Sequence, residues 1–269
     1  MRIPIIAVLT FATIIFLVTG FWDFVSGAIL PNTTWGLYSQ SFFENVLVGA
    51  HGAVLDLLVV GVILYWFEQR RTRRDQIGRL DEELADLRLY RAPDAPYRTL
   101  GTMRRLLALD NSKSLQISEM TLSHLELKDL KLSKCDMYAT VFTDSRIKKV
   151  CFEKCSLDAA IFAGVIMEHS LLTESSLRRA KFQNAKLNGL NLTSCQIQNA
   201  DFTGASLRSA NFKGLDCQGV VFKNADLTSA NFIGALNLDP NAIATARCIR
   251  GLKSADPRIS AIVAAHKGK

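Results

Sequence analysis

Charge is almost missing from the start of this chain: Arg2, Asp23, Glu44 and Asp56 are the only charged residues before Glu68. A stretch so poor in charge cannot form an ordinary soluble surface. An acidic excess is missing too, since Lys and Arg number 32 against 25 Asp and Glu, for a net charge of +7. That charge is spread as −2 over 1–66, +2 over 67–111, +3 over 112–237 and +4 over 238–269, so no segment is a polybasic tract. Histidine is limited to His51, His124, His169 and His266, and the regular spacing of the later residues sets none of them beside a nucleophile. No phosphate loop and no metal-ligand spacing occurs. The expectation is a protein that is not an enzyme and holds no cofactor or metal. Six cysteines lack paired spacings and read as reduced thiols. Disorder is excluded by 49% hydrophobic against 21% charged residues, and 269 residues suit one or two domains with an appendage.

The apolar excess sits at the N-terminus. Ile5 to Phe21 is broken only by Thr10, Thr13, Thr19 and Gly20, and continues past Trp22-Asp23 to Leu30. A second run, Val46 to Phe67, ends in Tyr65-Trp66-Phe67, residues suited to a lipid–water boundary. Residues 1–67 are therefore expected to be a membrane hairpin of two transmembrane helices. A cleaved signal peptide is the alternative for the first run. Arg70, Arg71, Arg73 and Arg74 follow the second run, whereas the Pro31–Ser41 connection has no basic residue. By the positive-inside rule the arginines and everything after them are cytoplasmic. The expected setting is a bacterial inner membrane.

Asp56 lies near the middle of the second run, where a charge costs about 2.5–3.5 kcal/mol on the insertion scale. It shares a helix face with Gly49, Ala53 and Val60, and Gly52 is beside it. One reading is a small transport or sensing protein with Asp56 and His51 as a proton relay. The other is a carboxyl that fixes helix packing, against Thr13 or a second copy of the chain. His51 points to a different face at 100° per residue, which favours packing.

Residues 68–111 form a charged helical linker, with Ile77, Leu80, Leu84 and Leu87 at the spacing of a short coiled-coil seam or of a helix lying on a partner. A solvated helix with one apolar side fits the same spacing. Homo-oligomers through the transmembrane helices or this linker follow as an expectation. Pro93 and Pro96 end the helix, and a shorter one is expected over Leu100–Leu109.

From Ile117 to Phe232 every fifth residue is hydrophobic, for twenty-four consecutive positions. The residue two before each centre is small or apolar and is mostly alanine in the later part, as at Ala180, Ala185, Ala200, Ala205, Ala210, Ala225 and Ala230. A period of five drifts around a helix and reverses face along a strand. The chain must turn once per repeat, which makes a solenoid.

Ala200-Asp201-Phe202-Thr203-Gly204 and Ala225-Asp226-Leu227-Thr228-Ser229 carry the motif A-(D/N)-L-x-x. In these stretches the chain resembles the pentapeptide-repeat family, over about 115–237. The resemblance implies a right-handed quadrilateral β-helix with four pentapeptides per turn. Some members of that family resemble duplex DNA and protect DNA gyrase from inhibitors, which makes DNA mimicry toward a topoisomerase an alternative function. Phe142, Phe162, Phe182, Phe202 and Phe222, each twenty apart, support the turn length and form one column, opposite a column of Phe152, Phe212 and Phe232. Six turns at ~4.8 Å each give a tube roughly 29 Å tall. Cys135, Cys155 and Cys195 then occupy small inward positions and Cys217 a central one, as core hydrophobes.

The position before each centre, outward in this geometry, is apolar at Val141, Ile161, Ile166, Leu171 and Val221. Tyr138, Val141, Ile161, Ile166 and Leu171 are the candidate interaction patch, against scattered surface hydrophobes or a surface covered by the linker helix. The tail, 239–269, is expected to cap the solenoid of 112–238 with two helices started by Asp239-Pro240 and Asp256-Pro257. Gly251 and Gly268 would stop them, and Ile243, Ala246 and Ile249 would give the first an apolar side. The repeat holds fifteen basic and twelve acidic residues, which opposes DNA mimicry and makes nucleic acid an unfavoured partner. The function expected is a membrane-anchored, non-enzymatic scaffold. Its partners are the lipid bilayer and an unidentified cytoplasmic protein.

Overall fold

The computed structural model describes residues 2–29 and 40–266. The chain divides into two compact units, Met1–Gln76 and Ile77–Lys269. The division falls inside the expected linker rather than at its start.

The first unit contains α1 (Arg2–Gly20), α2 (Trp22–Ile29) and the greater part of α3 (Gln40–Leu87). Among the described residues one helix, within α3, is long and apolar enough to cross a membrane. The first apolar run differs from the expected straight span, because it bends by 79° between Gly20 and Trp22. Gly20 supplies no side chain to hold the turn, and Phe21 N still donates to the Leu17 carbonyl (3.1 Å) through the bend. Of the Pro31–Ser41 connection, which carries the topology argument, residues 31–39 lie outside the described residues.

The second unit begins with the last turns of α3. Leu84 and Leu87 are buried in one cluster with Leu100, Met103, Leu106 and Leu107 of α4 (Ala95–Leu109) and with Leu115, Ile117 and Leu122 of the first solenoid turn. Ile77 and Leu80 pack against the same cluster. The apolar seam of the linker thus meets its own chain and closes the N-terminal end of the tube, where a bare layer of strand edges would otherwise face water. Arg105–Glu83 (2.8 Å) and Lys113–Asp81 (2.7 Å) flank it. A seam buried within its own chain is not free for the linker oligomer expected above.

The repeat coils as its period requires. β1 (Glu126–Lys128), β3 (Arg146–Lys148) and β5 (Ile166–Glu168) form one parallel sheet, and β2 (Lys131–Ser133), β4 (Cys151–Glu153) and β6 (Leu171–Thr173) another. The register is twenty residues per turn, with Leu127 opposite Ile147 and Ile147 opposite Met167. Isolated parallel bridges such as Val141–Ile161 and Asn211–Asn231 carry the same step to the other walls and later turns. At most corners a backbone N–H returns to the carbonyl three residues back, as from Ala200 to Ile197 (3.0 Å), but at others it does not, as where Val150 N donates to Ser170 Oγ (3.2 Å) instead. The third residue of each such turn, every fifth from Glu119 to Gly234 with Ser194 the exception, has positive φ. Where the backbone bond is made this is the type II geometry, and most of the positive-φ positions carry side chains rather than glycine. At Gly204 the reason for glycine is steric as well, since a Cβ there would run into the Asn184 side-chain oxygen.

All eight central phenylalanines are buried. Phe142, Phe162, Phe182 and Phe202 stack at 4.8–4.9 Å with interplanar angles of 3–6°. The opposite column meets this one edge to face, as at Phe212–Phe222 (5.7 Å, 90°). Stacking along the column and edge contact across it are both favoured ring geometries, and small residues at the corners leave room for them.

The tail forms helices at both expected starts, but not those alone. α5 spans only Pro240–Ala244, with the Asp239 side chain accepting from Asn241 N (2.9 Å), while α6 covers Pro257–His266. Between them the chain rejoins the tube: Cys248 pairs with Asp226, Lys253 with Asn231, and Ile249 and Leu252 are buried. The step from Asp226 to Cys248 is twenty-two residues instead of twenty, because α5 occupies part of that turn. Ile249 is thus a core residue of a further partial coil, and Gly251 (φ 70°) is its corner rather than a helix stop. Gly268 lies outside the described residues.

Candidate interaction surface

A twenty-residue turn with four straight sides gives four walls, here named by a central residue: Met137, Phe142, Ile147 and Phe152. Outward residues twenty apart are neighbours on one wall, and those ten apart lie across the tube. Val141 and Ile161 are bridged neighbours on the Phe142 wall, both half-buried. Tyr138, 41% exposed, stands on the preceding wall just before the shared corner. Ile166 is half-buried on the following wall, and Leu171, 58% exposed, is on the Phe152 wall opposite Ile161. The structure therefore brings Tyr138, Val141 and Ile161 together and separates Leu171 from them.

The Phe142 wall has a feature that a search for apolar residues alone passes over. Through its first three turns the outward residues are Thr121, Ser123, Val141, Thr143, Ile161 and Ala163, none of them charged. Charge returns at Lys181 and Asp201. A flat, uncharged parallel wall of small and β-branched side chains is low in desolvation cost and suits a protein contact.

The remaining outward polar groups largely satisfy one another along the walls. Asp158 accepts from the Ser176 hydroxyl and from the backbone N, Nε and Nη2 of Arg178. Asp226, buried, accepts from Arg208 Nε (2.7 Å) and Thr228 Oγ1 (2.6 Å). Burial pushes the Asp226 carboxyl up, but the Thr228 and Arg208 bonds outweigh it and leave the group below the usual carboxylate range. Asn237 and Gln198 hold Asp216 down, and Arg258 does so for Asp256. Carboxyls depressed in the folded state stabilise it above the unfolded value of about 3.9 and lose that contribution as pH falls through the folded value. The midpoint of urea unfolding is therefore expected to be flat from neutral pH down to about pH 5 and to drop below about pH 4. The R208A variant should show a shallower drop.

Among the described residues no group of three or more His, Cys, Asp or Glu side chains is placed to hold a metal ion. Burial raises the Cys195 thiol to about 11 and Cys217 to about 12, in keeping with core positions. Cavities of about 250 and 340 Å³ lie at the C-terminal end, between the last turn and α6. His51 and Asp56 are not brought together. The His51 ring lies 2.8 Å from the Leu47 carbonyl and 3.4 Å from Thr19 Oγ1, Thr13 donates to Leu9, and Asp56 is exposed on α3 with no hydrogen-bond partner among the described residues.

Residues 160–232 match the family model described as a pentapeptide repeat region. Solved pentapeptide-repeat structures resemble the chain at low identity. HetL, involved in heterocyst differentiation regulation in Nostoc sp. strain PCC 7120, is 19% identical over 58% of this chain and 96% of its own, with a TM-score of 0.32. QnrB1, a plasmid-mediated fluoroquinolone resistance protein, is 19% identical over 58% and 83%, also at 0.32. A pentapeptide repeat protein of the Arabidopsis thaliana thylakoid lumen is 19% identical over 43% and 67%, at 0.21. Likeness at these identities bears on fold alone, and at these TM-scores it adds nothing to the coil already described. No curated protein matches the chain.

Proposed function

We propose that this protein is a membrane-anchored, non-enzymatic scaffold whose pentapeptide-repeat solenoid presents its Phe142 wall to a protein partner in the cytoplasm. The observation that carries the reading is the uncharged stretch from Thr121 to Ala163 on that wall, beside Tyr138 at the corner. Support for the anchor is the apolar helix within α3 followed by Arg70, Arg71, Arg73 and Arg74. DNA mimicry toward a topoisomerase is disfavoured by fifteen basic against twelve acidic residues in 112–237. A proton relay through Asp56 is disfavoured by His51 being directed to Leu47 and Thr19 instead.

Crosslinking in native membranes, read by mass spectrometry, tests the wall. The I161K variant is expected to lose the partner crosslink at least about tenfold, the effect of removing one contact of moderate strength. L171K, across the tube, should retain it. Equal retention, or equal loss, in the two variants contradicts the assignment to this wall.

A further inference from the structure

The apolar part of α3 has two faces of different character. Toward α1 it presents Leu47, His51 and Val54; Val54 is buried, and the edge of Phe16 meets the His51 ring at 5.4 Å. Asp56 is two residues beyond Val54, which is 200° around the helix, so it points away from α1. Asn45, Gly49, Gly52 and Val60 lie within about 40° of Asp56 on the same side, all exposed. A Cβ added at Gly49 or Gly52 would meet nothing within 4 Å. Only 6% of the most apolar window of this helix is buried. The chain thus holds an ionisable group in the middle of an apolar span, on an open face with room for close approach, and no hydrogen-bond partner for it stands among the described residues.

We infer that a second copy of this chain docks on the Asn45–Val60 face of α3, with the two Asp56 side chains hydrogen-bonded across a two-fold axis. The inference rests on the membrane reading proposed above, because the need for a partner arises only where water is absent. Copies inserted with the same topology lie parallel, so residues at one depth face themselves. The glycines at 49 and 52 let the backbones approach, and one carboxyl donates to the facing carboxylate oxygen. The occupant is a second copy because the symmetric arrangement delivers a polar group at the depth of Asp56, whereas a heterologous helix must carry one by coincidence.

The dimer fraction of the full chain, fluorescently labelled and diluted in liposomes, is counted by single-molecule photobleaching. D56L and G52I are each expected to weaken dimerisation about tenfold, the first by removing the hydrogen bond and the second by forcing the helices apart. D56N, which can both donate and accept, should stay within about twofold of the unaltered chain. Retention after alkaline extraction shows that each variant is still inserted. Loss of the unaltered chain on extraction overturns the anchor and this proposal with it. A chain that stays in the membrane but is monomeric, or dimers unaffected by both D56L and G52I, overturns this proposal alone.

Discussion

Phe182→Ala lowers the stability of the solenoid by about 3–5 kcal/mol, the range for removing a fully buried aromatic side chain. Phe182 is completely buried and stacked between Phe162 at 4.8 Å and Phe202 at 4.9 Å. Its removal leaves a hole that the neighbouring rings cannot fill, because the wall hydrogen bonds fix the layer spacing. Phe162 N, for example, donates to the Lys181 carbonyl at 2.7 Å, and Phe182 N to that of Asp201 at 2.7 Å. For a unit of this size the loss corresponds to a fall of roughly 10 °C in thermal midpoint, followed by far-ultraviolet circular dichroism. Phe182→Leu keeps most of the volume and should cost less than half as much. A fall of under 1 kcal/mol for Phe182→Ala would mean that the rings are not a continuous interior column.

The second large effect concerns register. Deleting residues 181–200 removes one whole turn and joins Ala180 to Asp201, so every later residue keeps its wall. The shortened tube is expected to fold and to unfold cooperatively, with its midpoint lowered by the share of one turn. Deleting residues 181–185 also preserves the inward phase, joining Ala180 to Lys186, but rotates everything after it by one wall. Phe202 and Phe222 then continue the Met137–Leu177 wall and Phe212 and Phe232 the Ile147–Met167 wall, while Leu187, Leu207 and Leu227 follow Phe162. Each later turn keeps its own side chains, but the ring columns break at the junction, where Phe162 loses Phe182 and large and small residues no longer match from layer to layer, for a loss of roughly 5 kcal/mol or more. Comparing the urea midpoints of the two variants decides the matter. A five-residue deletion as stable as the twenty-residue one would contradict four sides per turn.

How much of this is legible in the amino-acid sequence depends on whether the signal is periodic. The inward residues from Ile117 to Phe232 never leave the five-residue phase, and the spacing of the phenylalanines sets the turn at twenty. Ile249 and Leu252 belong to the same interior but sit two residues out of phase, because α5 lengthens that step, so a count of fives stops before them. At Leu84 and Leu87 the spacing marks an apolar helix side without naming what covers it. The cover is α4 and the first turn, contacts that depend on where the prolines at 93 and 96 redirect the chain. The wall positions are different again. Ile161 and Leu171 are ten residues apart, which is two walls, so the sequence itself separates them once the turn length is known. The uncharged run on the Phe142 wall is likewise readable by taking every twentieth residue from Thr121 and Ser123, although threonine, serine and alanine do not register as apolar. The bend after Gly20 carries no sequence pattern and follows only from where the helices lie.

In the proposed function a lipid-spanning helix is joined to a solenoid that stays on the arginine-rich side. Membranes washed at alkaline pH, with protease then added separately to spheroplasts and to inverted vesicles, test both halves together. The chain is expected to remain in the washed membranes, with residues 112–254 resistant to protease in spheroplasts and cleaved or released only in inverted vesicles. Recovery in the alkaline supernatant, or digestion from outside intact spheroplasts, would contradict it.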